Sequence, residues 1–316
     1  MNRFPLRKTE KEEPFMNQYK IVSDFGCNLP EHLTAQYEIE IIPTNLHIEG
    51  EGSIPSDQID ISDFYQKLRE KKMIKTSAVN MQTFKTRFEA ALENGSDVLY
   101  IGMSSGLSGT FGAARLAADE LSETYPERKI YCVDSRSGCG GIGLAVYLAA
   151  LKREEGADLE ATYAYVSDIC GRLQSWFSVD DLFFLKRGGR LSSSTAIVGS
   201  LFMIKPILTA SSEGKLVAWG KARGKKGVTE ELLNRINELA FDPENSIFFI
   251  SHSDCMEEAV NLDMKLRAKW DIKDTIITDI SPAFSAHCGP GAVAVFFIGR
   301  KNGQAEYTEA EHTTTE

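Results

Sequence analysis

The chain has 316 residues, which is long enough for two domains with substantial cores. Its 35 Lys and Arg residues against 45 Asp and Glu give a formal net charge of −10, which argues against nucleic acid as a partner. No apolar run approaches the roughly 20 residues that span a bilayer, and no signal-peptide hydrophobic region precedes residue 17. We therefore expect a cytoplasmic protein without stable membrane insertion.

The first half of the chain alternates between strand and helix patterns. Residues 1–16 are polar and charged and are expected to be a disordered extension. Strands are predicted at 19–22, 39–43, 98–102 and 130–133, and helices at 61–71, 83–92, 110–121 and 143–154. This alternation predicts an N-terminal α/β domain over 17–175 with a parallel sheet, whose strand ends meet at one ligand-binding edge.

The second half predicts an α+β domain over 176–302. A short helix is expected at 180–186, and strands at 206–209 and 215–220 form a hairpin around the turn at 211–214. Further strands are predicted at 247–251, 275–279 and 292–298, with helices at 228–239 and 255–269. The polar segment 303–316 is expected to be a mobile tail.

A polar turn at residues 104–110 joins a predicted strand to a predicted helix. Its serines, glycines and threonine are typical of helix caps and tight turns, which is the plainer interpretation. The first amides of a helix also point outward at the positive end of its dipole, so such a turn binds anions well. Thr76 and Ser77 form either an ordinary helix cap or a second pair of hydroxyls that donates hydrogen bonds to the same anion.

Other polar residues are candidates with competing structural interpretations. His287 lies in a glycine-bounded turn before an apolar strand, although a lone histidine is more often a hydrogen-bonded structural residue. Arg187 and Arg190 flank a glycine pair and either clamp an anion or cap the preceding helix. The basic run 221–226 is either a solvated turn or a docking surface for an acidic partner.

Common enzyme motifs are missing from the sequence. Residues 106–110 place the second glycine one position too early for a Gly-x-Ser-x-Gly nucleophile turn. Neither dinucleotide-binding glycines after the first strand nor a phosphate-binding loop with its lysine is present. The six cysteines have no zinc-ligand spacing and are expected to be reduced, mostly buried thiols, so no metal or cofactor is predicted.

Taken in order, these motifs resemble the DegV family, the fatty-acid-binding carrier subunits of bacterial fatty acid kinase. The resemblance covers about residues 19–299 and rests on Asp24, the segments 60–65, 76–77, 104–110, 134–135, 180–190, 199–208 and 287–291. It implies a two-domain fold, an α/β N-terminal domain and an α+β C-terminal domain, with one long-chain fatty acid enclosed between them. No cofactor is implied besides that ligand.

Carried over to this sequence, the resemblance implies that Thr76 and Ser108 bind the fatty acid carboxylate. His287 would lie nearby, and the turn that contains Ser105 and Gly106 would add amide donors. An ATP-dependent kinase would then phosphorylate the carboxyl group to an acyl-phosphate while the chain stays enclosed. The arginines that would face this kinase partner are Arg187, Arg190 and Arg223.

The acyl chain is the larger source of binding energy in this hypothesis. Each buried methylene contributes about 0.8 kcal/mol, so a long chain offers roughly 10 kcal/mol, more than a few hydrogen bonds. Phe183, Phe184 and residues 201–204 are apolar enough to line its tunnel, although any one of them is more often a core residue.

Two alternative functions stay open: a serine hydrolase or acyltransferase that uses Ser108 and His287, and a ligand sensor without a kinase partner.

Overall fold

The structure, a computed structural model, describes residues 19–191 and 203–300. Its first sheet consists of four parallel strands in the order β2-β1-β6-β7. The strands are β1 (Tyr19–Asp24), β2 (Glu40–Ile42), β6 (Asp97–Gly102) and β7 (Ile130–Asp134). Successive side chains of β6 from Val98 to Ile101 are all buried, so both faces of the sheet are covered, as the strand and helix alternation predicts.

Two helix pairs cover this sheet. The first pair is α3 (Met81–Glu93) with α4 (Thr110–Thr124), and the second is α5 (Gly140–Glu154) with α6 (Leu159–Cys170), while the short α1 (Glu31–Gln36) follows β1. The Asn80 and Asp158 side chains cap α3 and α6 by accepting the amides of Thr83 and Ala161 at 2.9 and 2.8 Å. The sequence analysis missed α6.

A mixed six-stranded sheet forms the second half, in the order β10-β9-β8-β13-β11-β12. Its strands are β8 (Leu173–Ser178), β9 (Ile204–Ala210), β10 (Leu216–Arg223), β11 (Ile247–His252), β12 (Asp274–Asp279) and β13 (Val293–Ile298). Strands β9 and β10 pair antiparallel, which confirms the predicted hairpin. The predicted domain boundary between 175 and 176 stays a prediction, and β8 runs across it.

Helix α5 lies between the two sheets, because it packs on β1 and β6 and also on β11 and β13. The sequence analysis began this helix at residue 143, but it begins at Gly140. A Cβ on Gly140 would lie 2.5 Å from the Ser251 Oγ, and one on Gly143 would lie 2.9 Å from the Asn28 carbonyl oxygen. Because these glycines have no side chain, α5 can lie close to β11 on one side and to the segment after β1 on the other. This close packing accounts for the glycines within the helix.

The outer face of the second sheet is covered by α8 (Gly224–Leu239) and α9 (Met256–Lys269). Trp176, Ile207, Leu232, Phe248 and Leu262 belong to the separate hydrophobic core beneath these helices. No helix in the described ranges is both long and apolar enough to cross a membrane. The predicted extension 1–16 and tail 303–316 lie outside the described residues.

A small antiparallel sheet was not predicted from the sequence. Its order is β4-β3-β5, formed by β3 (Asn45–Ile48), β4 (Gly52–Pro55) and β5 (Ile74–Thr76), and α2 (Ile61–Arg69) lies between β4 and β5 in the chain. Two short helices, α7 (Phe183–Arg187) and α10 (Pro282–Cys288), pack on each other, and α10 also packs on β5. Thr76 is thereby held at the end of β5, beside α10.

Candidate functional site

A cavity of about 290 Å³ lies between the carboxyl ends of the parallel strands and the inner face of the six-stranded sheet. Alternate residues of β8 and β13 form one wall, because every second side chain of a strand points to the same face. The wall and the opposite side of the cavity are mostly apolar, as in Phe177, Phe296, Phe25, Met103 and Phe284. A cavity of this kind and size is typical of a small-molecule site.

Polar or charged side chains that the sequence analysis singled out line this one cavity, among them Thr76, Ser108, Arg190 and His287. These four residues come from β5, the start of α4, the segment after α7, and α10. The Thr76 hydroxyl and the His287 Nε2 are 2.8 Å apart and hydrogen-bonded. Thr76, Ser108 and His287 therefore line one cavity although they are far apart in sequence, and their role in binding a carboxylate stays a prediction.

His287 lies in the last turn of α10, not in a glycine turn as the sequence analysis expected. Burial, together with the neighbouring positive charges of Arg190 and Arg187, lowers the pKa of His287 to about 4. The imidazole is therefore neutral near neutral pH and offers one donor and one acceptor. An anion bound beside it would offset both causes and raise the pKa.

Arg190 lines the cavity, whereas the sequence analysis expected it to face a partner protein. Burial lowers the pKa of its guanidinium, which nevertheless stays charged at any physiological pH. Its Nη1 donates to the Gly188 carbonyl oxygen, and among residues 19–191 and 203–300 no carboxylate lies within 4.0 Å of its charged nitrogens. The cavity therefore contains a half-buried cation that has no described acidic counterpart.

Ser108 presents its hydroxyl at the start of α4, next to Gly109, which also lines the cavity. The Ser108 Oγ accepts the Thr110 amide at 3.2 Å and lies 2.9 Å from the Thr110 hydroxyl, which itself accepts the Val79 amide at 3.2 Å. When the Thr110 hydroxyl donates to Ser108, the Ser108 proton is left to donate to a ligand. The positive end of the α4 dipole points to the same place.

Ser105 and Gly106 do not line the cavity, and their proposed contact with the ligand stays a prediction. The Ser105 amide donates to the Asp134 carboxylate at 3.3 Å, and the Gly106 amide donates to the Ser104 hydroxyl at 3.1 Å. A Cβ on Gly106 would meet the Glu213 carbonyl oxygen at 2.6 Å, so this glycine allows the turn to contact the β9–β10 hairpin. Both amides are used to build the turn that presents Ser108.

The other predicted partner-facing arginines lie outside the cavity. The Arg187 Nη1 donates to the carbonyl oxygens of Lys71 and Lys72 at 3.2 Å, and its guanidinium lies 5.1 Å from the ring centroids of Phe183 and Phe184. Arg187 therefore joins α7 to the segment after α2. Arg223 is exposed at the end of β10, and its proposed contact with a partner stays a prediction.

Two further expectations fail on geometry. Ser108 pairs with Thr110, and His287 pairs with Thr76, so no Ser108–His287 hydrogen bond of a hydrolase is present among the described contacts. Phe183, Phe184, Met203 and Ile204 do not line the cavity, and residues 201–202 lie outside the described residues. The aromatic lining comes instead from Phe25, Phe177, Phe284 and Phe296.

The cavity wall also contains two serines that the sequence analysis did not name as site residues, Ser137 and Ser175, and Ser77, which it grouped with Thr76. Ser175 could have been identified from its spacing of two residues from Phe177 on one strand. In the described part of the chain, no three His, Cys, Asp or Glu side chains are grouped as a metal site. All six cysteines are free thiols.

An apolar cavity with polar and positively charged side chains in its lining is chemically suited to an amphipathic anion. Comparison with known proteins shows the family to which the chain belongs. The family model described as "Uncharacterised protein, DegV family" matches residues 18–300, and a DegV domain-containing protein of Clostridium perfringens is 36% identical over 90% of this chain and 98% of its own. The chain therefore belongs to the DegV family, and the resemblance found in its sequence is confirmed.

Solved structures of DegV proteins have the same fold. A protein from Thermus thermophilus, described as a DegV family protein with fatty acid binding, superposes with a TM-score of 0.82 and 29% identity, and covers 90% of this chain and 100% of its own. A DegV lipid-binding protein from Thermotoga maritima gives a TM-score of 0.78 at 29% identity, with 89% and 98% covered. The expected two-part α/β fold is confirmed.

Proposed function

We propose that this protein binds one long-chain fatty acid, with the acyl chain in the cavity and the carboxylate at its polar end. The observation that carries the proposal is the presence of Arg190, Thr76, Ser108 and His287 together in the lining of one mostly apolar cavity. A carboxylate accepts hydrogen bonds only, and these side chains supply hydroxyl, imidazole and guanidinium donors. The related proteins described as fatty-acid-binding and lipid-binding support the same ligand class.

The protein acts in this proposal as a carrier rather than as a catalyst. A partner kinase transfers the γ-phosphoryl group of ATP to a carboxylate oxygen, which gives an acyl-phosphate and ADP. The neutral His287 and the paired hydroxyls position the head group, and none of them is activated as a nucleophile. Exposed Arg223 lies at the end of β10 and is available to the partner.

Native mass spectrometry of protein purified gently from a bacterial host tests the binding step. We expect an added mass equal to one free fatty acid, and its loss after delipidation. Titration of the delipidated protein with stearic acid should then restore the complex in a one-to-one ratio. A ligand-free protein that also fails to bind added stearic acid would overturn the proposal.

The carrier step is tested with ATP and a purified fatty acid kinase, by trapping the acyl-phosphate with hydroxylamine. The Arg223→Glu variant should lose most of the turnover and keep its affinity for stearic acid. The matched control is Arg115→Glu, since Arg115 is exposed on α4 and does not line the cavity. Binding of fatty acid without any acyl-phosphate would favour a ligand sensor, and equal turnover in both variants would refute the role of Arg223.

A further inference from the structure

The cavity wall contains a second polar feature, which we call the serine pair: Ser137, before α5, and Ser175, on β8. Both side chains are buried, with 3% and 7% exposure, and both line the cavity. Their hydroxyl oxygens are 2.8 Å apart. The carboxylate-binding proposal does not use them.

The serine pair has hydrogen-bonding capacity to spare. Two hydroxyls carry two protons, and their mutual hydrogen bond uses one of them. The other described acceptor is the Gly138 carbonyl oxygen, 3.4 Å from the Ser137 Oγ, which is at the long limit for an O–H donor. One proton and several lone pairs are therefore available to a group inside the cavity.

The position of the pair is fixed by the surrounding backbone. The Ser104 amide donates to the Ser137 carbonyl oxygen at 2.9 Å, and the Ser137 amide donates to the Ser135 Oγ at 3.1 Å. Ser175 pairs with Phe296 in the β8–β13 register. Ser175 is thus held in a sheet, and Ser137 is held by backbone hydrogen bonds in the turn between β7 and α5.

The β13 part of the cavity wall extends from Ala292, which follows α10 closely, to Phe296, which pairs with Ser175. Helix α10, which carries His287, leads through residues 289–291 into Ala292 and then β13. Ser175 lies beside Phe296, and the strand advances roughly 13 Å over the four residues from Ala292 to Phe296. A fatty acid whose head group lies at His287 and whose chain follows β13 would bring carbons beyond its carboxylate past the serine pair.

We infer that the protein accepts long-chain fatty acids that carry a hydroxyl or keto oxygen in the middle of the chain. In a wholly apolar cavity, such an oxygen would lose its hydrogen bonds to water without replacement and would be rejected. The serine pair replaces those bonds: it donates to a keto oxygen, and it both donates to and accepts from a hydroxyl. This inference rests on the proposed fatty acid binding and names a substrate class within it.

The test compares stearic acid with a set of monohydroxystearic acids that differ in the carbon bearing the hydroxyl, each titrated into the delipidated protein. We expect at least one mid-chain isomer to bind as tightly as stearic acid. The Ser137→Ala/Ser175→Ala double variant should lose about tenfold for that isomer, as expected for one or two buried hydrogen bonds, and should change less than about twofold for stearic acid. The control is Ser251→Ala, because the Ser251 hydroxyl lies 2.9 Å from Thr278 in a buried pair that does not line the cavity.

The outcomes separate this inference from the proposed function. Tight binding of stearic acid with rejection of every hydroxylated isomer would overturn the substrate class and leave fatty acid binding intact. Equal losses for both ligands in the double variant would also overturn it, since the pair would then only support the fold. If the single variant Ser175→Ala weakens binding of that isomer but not of stearic acid, the inference is supported without disturbing Ser137 and its turn.

Discussion

Replacing Arg190 with methionine tests how much the positive charge of Arg190 contributes to binding of the negatively charged head group. The guanidinium lines the cavity and has no described carboxylate within 4.0 Å, so it is available to the fatty acid head group. Hydrogen bonds to charged groups contribute about 1.5 to 3 kcal/mol each, so Arg190→Met should weaken fatty acid binding roughly ten- to a hundredfold. Methionine keeps much of the apolar stem, so the packing changes little.

Isothermal titration of the delipidated variant with stearic acid and with stearyl alcohol measures the effect. The alcohol has the same chain and no negative charge, so its affinity should change little in Arg190→Met. The control is Arg187→Met, because Arg187 donates to the Lys71 and Lys72 carbonyl oxygens outside the cavity. Equal losses for acid and alcohol, or a loss in the control as large as in Arg190→Met, would refute the reasoning.

Three further predictions concern pH, cavity volume and stability. The pKa of His287 is about 4 in the folded protein, below its ordinary value, so the unfolded chain binds more protons between pH 4 and about 6.5. The ligand-free protein should therefore lose stability as the pH falls through this range. His287→Gln should reduce the change of melting temperature with pH in thermal melts. Ala294→Phe should fill part of the cavity and reduce the binding free energy by about 0.8 kcal/mol for each methylene of the acyl chain that it displaces. Competition among fatty acids of increasing length should then show a shift of preference to shorter chains. The buried Asp24 carboxylate accepts from the Tyr100 hydroxyl at 2.6 Å and from the amides of Met103 and Gly26, so Asp24→Ala should lower the free energy of unfolding in urea by about 2 to 4 kcal/mol, and Tyr100→Phe by less.

Much of the fold could be predicted from the sequence because its pattern is strong. The apolar runs that became β1, β6 and β7 and the amphipathic helix α2, capped by Asp60, follow from local spacing and cap chemistry. Strands β3, β4 and β5 are three or four residues long and are stabilised by pairing with one another. Such short segments have too little local pattern to be predicted from the sequence.

Part of the candidate site could be predicted from the sequence, and the rest depends on how distant segments pack together. Hydroxyls at Thr76 and Ser108 and the imidazole of His287 were identified as anion-binding chemistry, and all three line the cavity. The inward position of Arg190 depends on how the segment after α7 packs beside α10, which sequence spacing does not report. The amides of Ser105 and Gly106, which the resemblance assigned to the ligand, donate to Asp134 and Ser104 inside the turn.

A crystal structure of the delipidated protein soaked with a stearic acid brominated at the chain end tests the proposed ligand site most directly. The anomalous bromine signal and the carboxylate density locate the two ends of the ligand independently. We predict carboxylate oxygens within hydrogen-bond distance of Thr76, Ser108 or Arg190, and bromine enclosed in the apolar part of the same cavity. A carboxylate bound elsewhere, or a lipid in the open cleft lined by Asp180, Asp254 and Glu257, would contradict the proposal.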